Sequence, residues 1–352
     1  MKVRRDLAGK VHKAAEKTQA ATGRDRMAVA YIGLAGHRNL GDDAMFEAVR
    51  QLLPSATLSV NPKTADAVLV GGGTLLNADG YYLNRLRTVD ASTTVAAVFG
   101  TGVRSLRFFG TTERYDQWDG FLRQATTVGV RGPDSADSLR TLGFEGEIDV
   151  IGDPALSLEA GDHTPVEGLV IVAPLHTDGV LRGGDDVRVL ETLTSTVRRL
   201  RRGGHAVTLM SCHPNDDRWI LEMMRDLADT AVGYLAGYDD LDATMATIAS
   251  AELVIGERLH ASVLAAAAET VFVAIEYRPK VGDFARSVGR TDAVVRTDEI
   301  ERLDEVVDTV WNQRKAQVAE VREHVRRFRS LQRSMAAGFA TAVAAAVTDQ
   351  VE

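Results

Sequence analysis

Leu169-Val170-Ile171-Val172-Ala173 is an unbroken apolar run, short enough to be one strand buried on both faces of a parallel sheet. It also restarts a pattern. Upstream, Met27-Ala28-Val29-Ala30-Tyr31-Ile32-Gly33 is a similar run, followed by a helical stretch over Asp43 to Leu53. Further strands are expected at Ala67 to Val70, Thr94 to Phe99, Thr127 to Val130 and Ile148 to Ile151, with a helix over Ser135 to Leu142. Downstream of Leu169, Val187 to Arg201 reads as a helix, Ala206 to Met210 as a strand and Asp217 to Ala228 as a helix. Leu241 to Ser250 and Ser262 to Ala268 are helical, and Leu253 to Ile255 and Val271 to Ile275 are strands. Strands alternating with helices define an α/β fold with parallel sheets covered on both sides.

The polar link Gly161-Asp162-His163-Thr164-Pro165 separates the two halves. The expected organisation is a basic extension at residues 1–26, an N-terminal Rossmann-like domain at 27–160, a C-terminal one at 165–300 and a helical segment at 301–352. Two doubly wound domains facing a cleft resemble the GT-B type of glycosyltransferase in outline. From Leu303 onward Val306, Val310, Val318, Val321, Val325 and Phe328 stand among charged residues, as in a long C-terminal helix returning to the first domain.

At 352 residues the chain is long for one core and comfortable for two, and 45% hydrophobic with 26% charged residues is an ordinary globular composition. A net charge of −8 argues against nucleic acid as a partner. Cys212 stands alone, so neither an intrachain disulfide nor a cysteine metal cluster can form, which fits a reducing cytoplasm. No apolar run approaches the roughly 18–20 residues of a membrane span. Residues 1–26 hold eight Lys/Arg against three Asp/Glu, and Val3, Leu7 and Val11 recur at helical spacing. This segment reads either as a solvated extension or as a basic amphipathic helix lying peripherally on an anionic membrane.

Candidate site residues gather where strands end. Glu257-Arg258-Leu259-His260 follows the strand Leu253 to Ile255 and opens a helix, where backbone N–H groups already favour an anion. Tyr277-Arg278-Pro279-Lys280 follows the next strand. An Arg, a His and a Lys at neighbouring strand ends suit a small, multiply charged substrate such as a phosphate ester. Gly36-His37-Arg38-Asn39-Leu40-Gly41-Asp42-Asp43 follows the first strand. It is either a ligand-approach loop or a tight turn capped by Asn39, Asp42 or Asp43. Gly71-Gly72-Gly73 closes another strand and offers either a concave patch of N–H groups or a close strand–helix contact. Arg131 directly follows the strand Thr127 to Val130. Asp153 sits between the halves, His176 follows Leu169 to Ala173, and His213 follows Ala206 to Met210. No tight ligand spacing supports a metal among them. Aromatic residues, at 6%, show no stacking platform for a glycan.

In order, these segments resemble the polysaccharide pyruvyl transferase family: Asn39, Gly41, Asp42 and Ala44 for an Asn-x-Gly-Asp-x-Ala segment, Asp66 with Gly71 to Gly73, Arg131, Asp153-Pro154-Ala155, then Arg258 with His260 and Tyr277 with Lys280. The likeness runs from about Tyr31 to Gly289. It implies transfer of pyruvate from phosphoenolpyruvate to a sugar of a cell-surface glycan or glycolipid precursor, as a cyclic ketal, with release of phosphate. His260 and Arg131 would then be catalytic, with Arg258, Lys280, Tyr277 and His176 binding substrate. Asn39, Asp42, Gly71, Gly72 and Gly73 would line the acceptor side. No cofactor is implied, because phosphoenolpyruvate is a co-substrate. Expected partners are the donor, a sugar acceptor (lipid-linked or free), an anionic membrane and, through the alanine-rich tail, a second copy of the chain. Two rival readings share the fold. A nucleotide-sugar glycosyltransferase would use Glu276 or Asp283 for the ribose, whereas a silent glycan-binding partner would need no intact Arg, His and Lys set.

Overall fold

The computed structural model of the chain describes residues 26–60, 62–77, 80–93, 95–104, 116–176, 186–228 and 230–349. The basic extension expected at residues 1–26, whether solvated or helical, lies outside them except for its last residue. Two compact units emerge. The first comprises residues 1–35, 45–157 and 327–352, and the second comprises 36–44 and 158–326.

In the first unit six parallel strands form one sheet: β1 (Met27–Ile32), β2 (Ala56–Ser59), β3 (Ala67–Gly71), β4 (Ala96–Thr101), β5 (Thr127–Val130) and β6 (Asp149–Val150), in the order 2-1-3-4-5-6. Alternation along β1 explains its two-sided burial. Val29 and Tyr31 face one core with Leu69, Phe99, Phe339 and Val343. Ala30 and Ile32 face another with Val70, Leu83, Trp118 and Leu139. A strand covered on both faces has no polar side to show, hence the unbroken apolar run.

The second unit carries β7 (Leu169–Ala173), β8 (Ala206–Ser211), β9 (Gly233–Ala236), β10 (Leu253–Gly256), β11 (Phe272–Glu276) and β12 (Val294–Arg296). Their spatial order is 9-8-7-10-11-12, all parallel, which is the 3-2-1-4-5-6 arrangement of a Rossmann sheet. The expected internal strands are all present. The edge strands β2, β9 and β12 were not expected. They are short and half wetted, with Tyr234 exposed and Arg296 at the end of β12, so they lack the apolar signature.

Sheet order fixes where chemistry can happen. The chain leaves the sheet in opposite directions after the adjacent strands β1 and β3 in the first unit, and after β7 and β10 in the second. Such switch points open a crevice at the carboxyl ends of the strands. In the first unit Gly33 and Gly71 to Gly73 stand there, and in the second His176 and Arg258 to His260.

Helix α1 spans Leu40–Leu52 and the last helix, α10, spans Leu303–Asp349. Val306, Val307 and Val310 of α10 join the second unit's core. Met335, Ala336, Phe339, Ala340, Val343, Ala344 and Val347 join the first unit's core, so the alanine-rich stretch is buried within its own chain. Among the described residues no helix is long and apolar enough to cross a membrane.

Candidate functional site

In the second unit, β10 ends at Gly256 and the chain turns at once into helix α8 (Leu259–Ala267), capped by Arg258 in extended conformation. The helix begins three residues earlier than the sequence suggests, which places His260 in its first turn. Glu257 is buried and ties the turn to the neighbouring strand end. Its N–H donates to Ala173 O at 2.9 Å, and its Oε2 accepts the Leu175 N–H at 2.8 Å.

Arg258 projects onto Asp216, which is 0% exposed. The guanidinium donates Nε to Oδ2 at 2.9 Å and Nη2 to Oδ1 at 2.7 Å, a two-pronged pair. Oδ1 also accepts the backbone N–H of His176 at 3.1 Å. One buried carboxylate thus holds the cation and the loop after β7 together. Sequence reasoning passed over Asp216, because an Asp in a polar loop ordinarily faces water.

His260 lies against Gly41. A side-chain carbon on Gly41 would fall 1.9 Å from the imidazole Nδ1, so only glycine lets the ring sit on the backbone there. The loop 36–44 that carries Gly41 belongs to the second unit. It is fixed by Leu40 N–H donating to Cys212 O at 3.0 Å, and by Asn39 Oδ1 accepting the Gly41 N–H at 3.2 Å. Asp43 Oδ1 accepts the Gly36 N–H at 2.6 Å. Asn39 and Asp43 therefore do the capping and turn-making. Asp42 is left to share the electrostatics of His260, Lys280 and Arg258. Burial pushes its carboxyl above the ordinary aspartate range, and those three groups pull it only part of the way back.

Tyr277 and Lys280 complete the cluster, on either side of the start of helix α9 (Pro279–Ser287). Tyr277 is buried, and the Lys280 ammonium lies 5.3 Å from its ring centre. Burial alone would raise the phenol. Lys280, Arg258 and Arg278 outweigh it, so Tyr277 titrates below an ordinary tyrosine.

His176 packs edge-on against Trp219, with ring centres 4.9 Å apart. His213 caps a short turn, its Nδ1 accepting the Asn215 N–H at 3.1 Å. Burial, with Arg258 nearby, holds that imidazole below the usual histidine range. Asp283 is buried in α9, whereas Glu276 lies over Gly282. Among the described residues no group of three or more His, Cys, Asp or Glu side chains is arranged to hold a metal.

In the first unit the glycine run is shaped by packing. Gly72 and Gly73 have φ of 66° and 73°, a region that favours glycine. A side-chain carbon on Gly72 would meet the Tyr31 hydroxyl at 2.7 Å and Met45 at 3.0 Å. The expected patch of open N–H groups does not form at these two residues. Gly72 N–H donates to Phe99 O at 3.3 Å and Gly73 N–H points to Met45 Sδ at 3.0 Å. Arg131 is 3% exposed, with Nη2 3.4 Å from Thr74 Oγ1 and Nη1 3.8 Å from the fully buried Asp153.

The fold defines the class first. Two Rossmann-like units with a long terminal helix form a GT-B-like α/β protein. A structure of a putative UDP-N-acetylglucosamine 2-epimerase from Listeria monocytogenes is similar, with a TM-score of 0.55 over 85% of this chain and 91% of that one, at 10% identity. The S. aureus MnaA–UDP co-structure gives 0.52 over 84% of this chain and 91% of that one, at 12% identity. At such identities the likeness concerns the fold alone. No curated protein matches the chain. The sequence model of the polysaccharide pyruvyl transferase family matches residues 39–279, which takes in the Gly41 loop, both strand ends of the cationic cluster and Pro279. The chain belongs to the polysaccharide pyruvyl transferase family.

Proposed function

We propose that the protein transfers pyruvate from phosphoenolpyruvate to two hydroxyls of one sugar in a cell-surface glycan or glycolipid precursor, forming a cyclic ketal and releasing phosphate. The observation that carries this reading is the grouping of Arg258, His260, Tyr277, Lys280 and Asp42 at the strand ends of the second unit, in a chain of this family. Phosphoenolpyruvate carries a phosphate and a carboxylate on one small carbon skeleton. The guanidinium and ammonium supply fixed positive charge for both.

His260, protonated, gives its proton to the methylene carbon, which becomes a methyl group and leaves C2 electrophilic. A sugar hydroxyl forms the first C2–O bond and loses its proton. The C2–O bond to phosphate breaks, the electron pair leaving with phosphate. A second hydroxyl of the same sugar then closes the ketal. Of the two hydroxyl protons, one is matched by that of the new methyl group and the other leaves on phosphate, so the balance closes without an oxidant. The reaction is assigned to the cytoplasm, on an acceptor that is lipid-linked or free.

A thermal-shift titration with phosphoenolpyruvate, beside UDP and GDP, tests the donor without needing an acceptor. The expected result is stabilisation by phosphoenolpyruvate in wild type, weakened in Arg258→Lys. Stabilisation by a nucleotide alone would move the assignment to a nucleotide-sugar glycosyltransferase, with Glu276 the available carboxylate. Full turnover by His260→Gln would remove the acid role.

A further inference from the structure

Beside the cationic cluster, and outside every residue assigned so far, lies a second organised group. Tyr234 on β9 and Tyr238 just beyond it both donate their hydroxyls to Asp217, at 2.9 Å to Oδ1 and 2.6 Å to Oδ2. The Arg38 guanidinium lies over the Tyr238 ring at 4.6 Å and donates to Asp239 at 2.7 Å. All of these residues belong to the second unit.

Stability does not account for this arrangement. Tyr234 is 47% exposed, and the Arg38 and Asp239 side chains are 59% and 55% exposed. Ordering exposed side chains costs rotamer entropy, and exposed ion pairs return little. Arg38 also sits at φ 54°, a left-handed backbone that a non-glycine residue seldom adopts. An exposed ring, Tyr234, tied through a shared carboxylate to the half-buried Tyr238, which lies under a strained arginine, is the mark of preorganisation.

We propose that Tyr234, Tyr238, Asp217, Arg38 and Asp239 form a subsite for a neutral hexopyranose ring of the acceptor glycan, an inference that rests on the pyruvyl transfer reading. A pyranose has a face of C–H bonds and a rim of hydroxyls. The C–H face suits the negative face of a tyrosine ring. The rim suits a planar donor, Arg38, beside an acceptor, Asp239. Charge selects the ligand class: Asp217 and Asp239 repel an anion, so a phosphate or a uronic acid is disfavoured. Position agrees as well. Asp217 directly follows Asp216, so consecutive carboxylates hold the sugar platform and the donor-side arginine.

Saturation-transfer NMR on the full chain, with the methyl glycosides of galactose, mannose, glucose and N-acetylglucosamine as probes, tests the subsite. At least one should receive saturation on its ring protons in wild type. Tyr234→Ala should weaken that binding about fivefold to tenfold. Tyr81→Ala, which removes another exposed tyrosine, should leave it unchanged. The phosphoenolpyruvate thermal shift of Tyr234→Ala should match wild type, showing the donor side and the fold intact. Signal from none of the four sugars in wild type, or undiminished signal in Tyr234→Ala, overturns the subsite. A missing phosphoenolpyruvate shift in wild type would instead overturn the donor reading, leaving a hexose site to be explained otherwise.

Discussion

The carboxylate of Asp216 and the guanidinium of Arg258 meet in a two-pronged pair at 2.9 and 2.7 Å, with the carboxylate wholly removed from solvent. This geometry leaves Nη1 of Arg258 as the nitrogen not engaged by Asp216. A guanidinium fixed through one edge can meet a substrate anion through the other without being reordered at each encounter.

Asp216→Asn should therefore harm donor use more than folding. Losing one charge of such a pair costs about 2 kcal/mol at the low end, roughly a 30-fold fall in kcat/KM for phosphoenolpyruvate. Steady-state kinetics with circular dichroism as the folding control would check it. Unchanged kinetics would show that Arg258 needs no clamp.

Gly41→Ala is the sharpest steric test of His260. The new methyl carbon would lie 1.9 Å from Nδ1, so the imidazole must move. A displacement of about 1 Å in a reacting group costs on the order of 100-fold in rate. The expected outcome is that loss in kcat, with the phosphoenolpyruvate thermal shift largely retained. Wild-type turnover would show that the ring's seat on the backbone is irrelevant to chemistry.

Asp42 links activity to pH stability. Its carboxyl is raised above the ordinary range, mainly by burial, so the native state holds that proton more tightly than the unfolded chain does. This contribution to stability is fully present below the unfolded pKa and is lost as pH rises through the folded one. At neutral pH the ionised group is thus a liability to the fold. Asp42→Asn should raise the melting temperature at neutral pH by a few degrees and lower turnover. The stability gain should vanish in acid. A melting temperature that falls at neutral pH would mean that the neighbouring cations depend on Asp42 more than burial opposes it.

Cys212 supplies a built-in reporter. Burial pushes its thiol up to about 12, and its carbonyl anchors the Gly41 loop through Leu40 N–H. With so little thiolate, alkylation by iodoacetamide at mildly alkaline pH should be negligible in the native protein and complete in guanidinium. Ready labelling of the native protein would mean that this strand end opens.

Buried parallel strands and the residues just past their ends were legible from the sequence, because a strand covered on both faces writes an apolar run and the following turn must be polar. Arg258 and His260 stand two apart, and Tyr277 with Lys280 one strand later, so their grouping follows from local order. Other features were not legible. Edge strands such as Gly233–Ala236 are half wetted and carry no periodic signal. The glycines at 72 and 73 fit an anion-binding patch or a close packing contact equally in chain order, and only the fold shows both N–H groups with partners within the unit. Gly41 and Asp42 meet His260 only through tertiary folding, which chain order does not encode. The tyrosine platform escaped for the same reason: Asp217, which unites its two rings, comes from a different element.

The long last helix has a consequence for biosynthesis. Its final turns fill the core of the first unit, where Phe339 and Val343 lie against residues of β1, β3 and β4. Those strands leave the ribosome well before the side chains that cover one of their faces are made. The usual order, in which an N-terminal unit folds while the rest is still being translated, is closed to this chain. The second unit has nearly all of its core in one stretch from residue 158 onward and can mature first. The nascent first sheet must meanwhile keep an apolar face out of trouble, which makes it the part of the protein with most need of a chaperone.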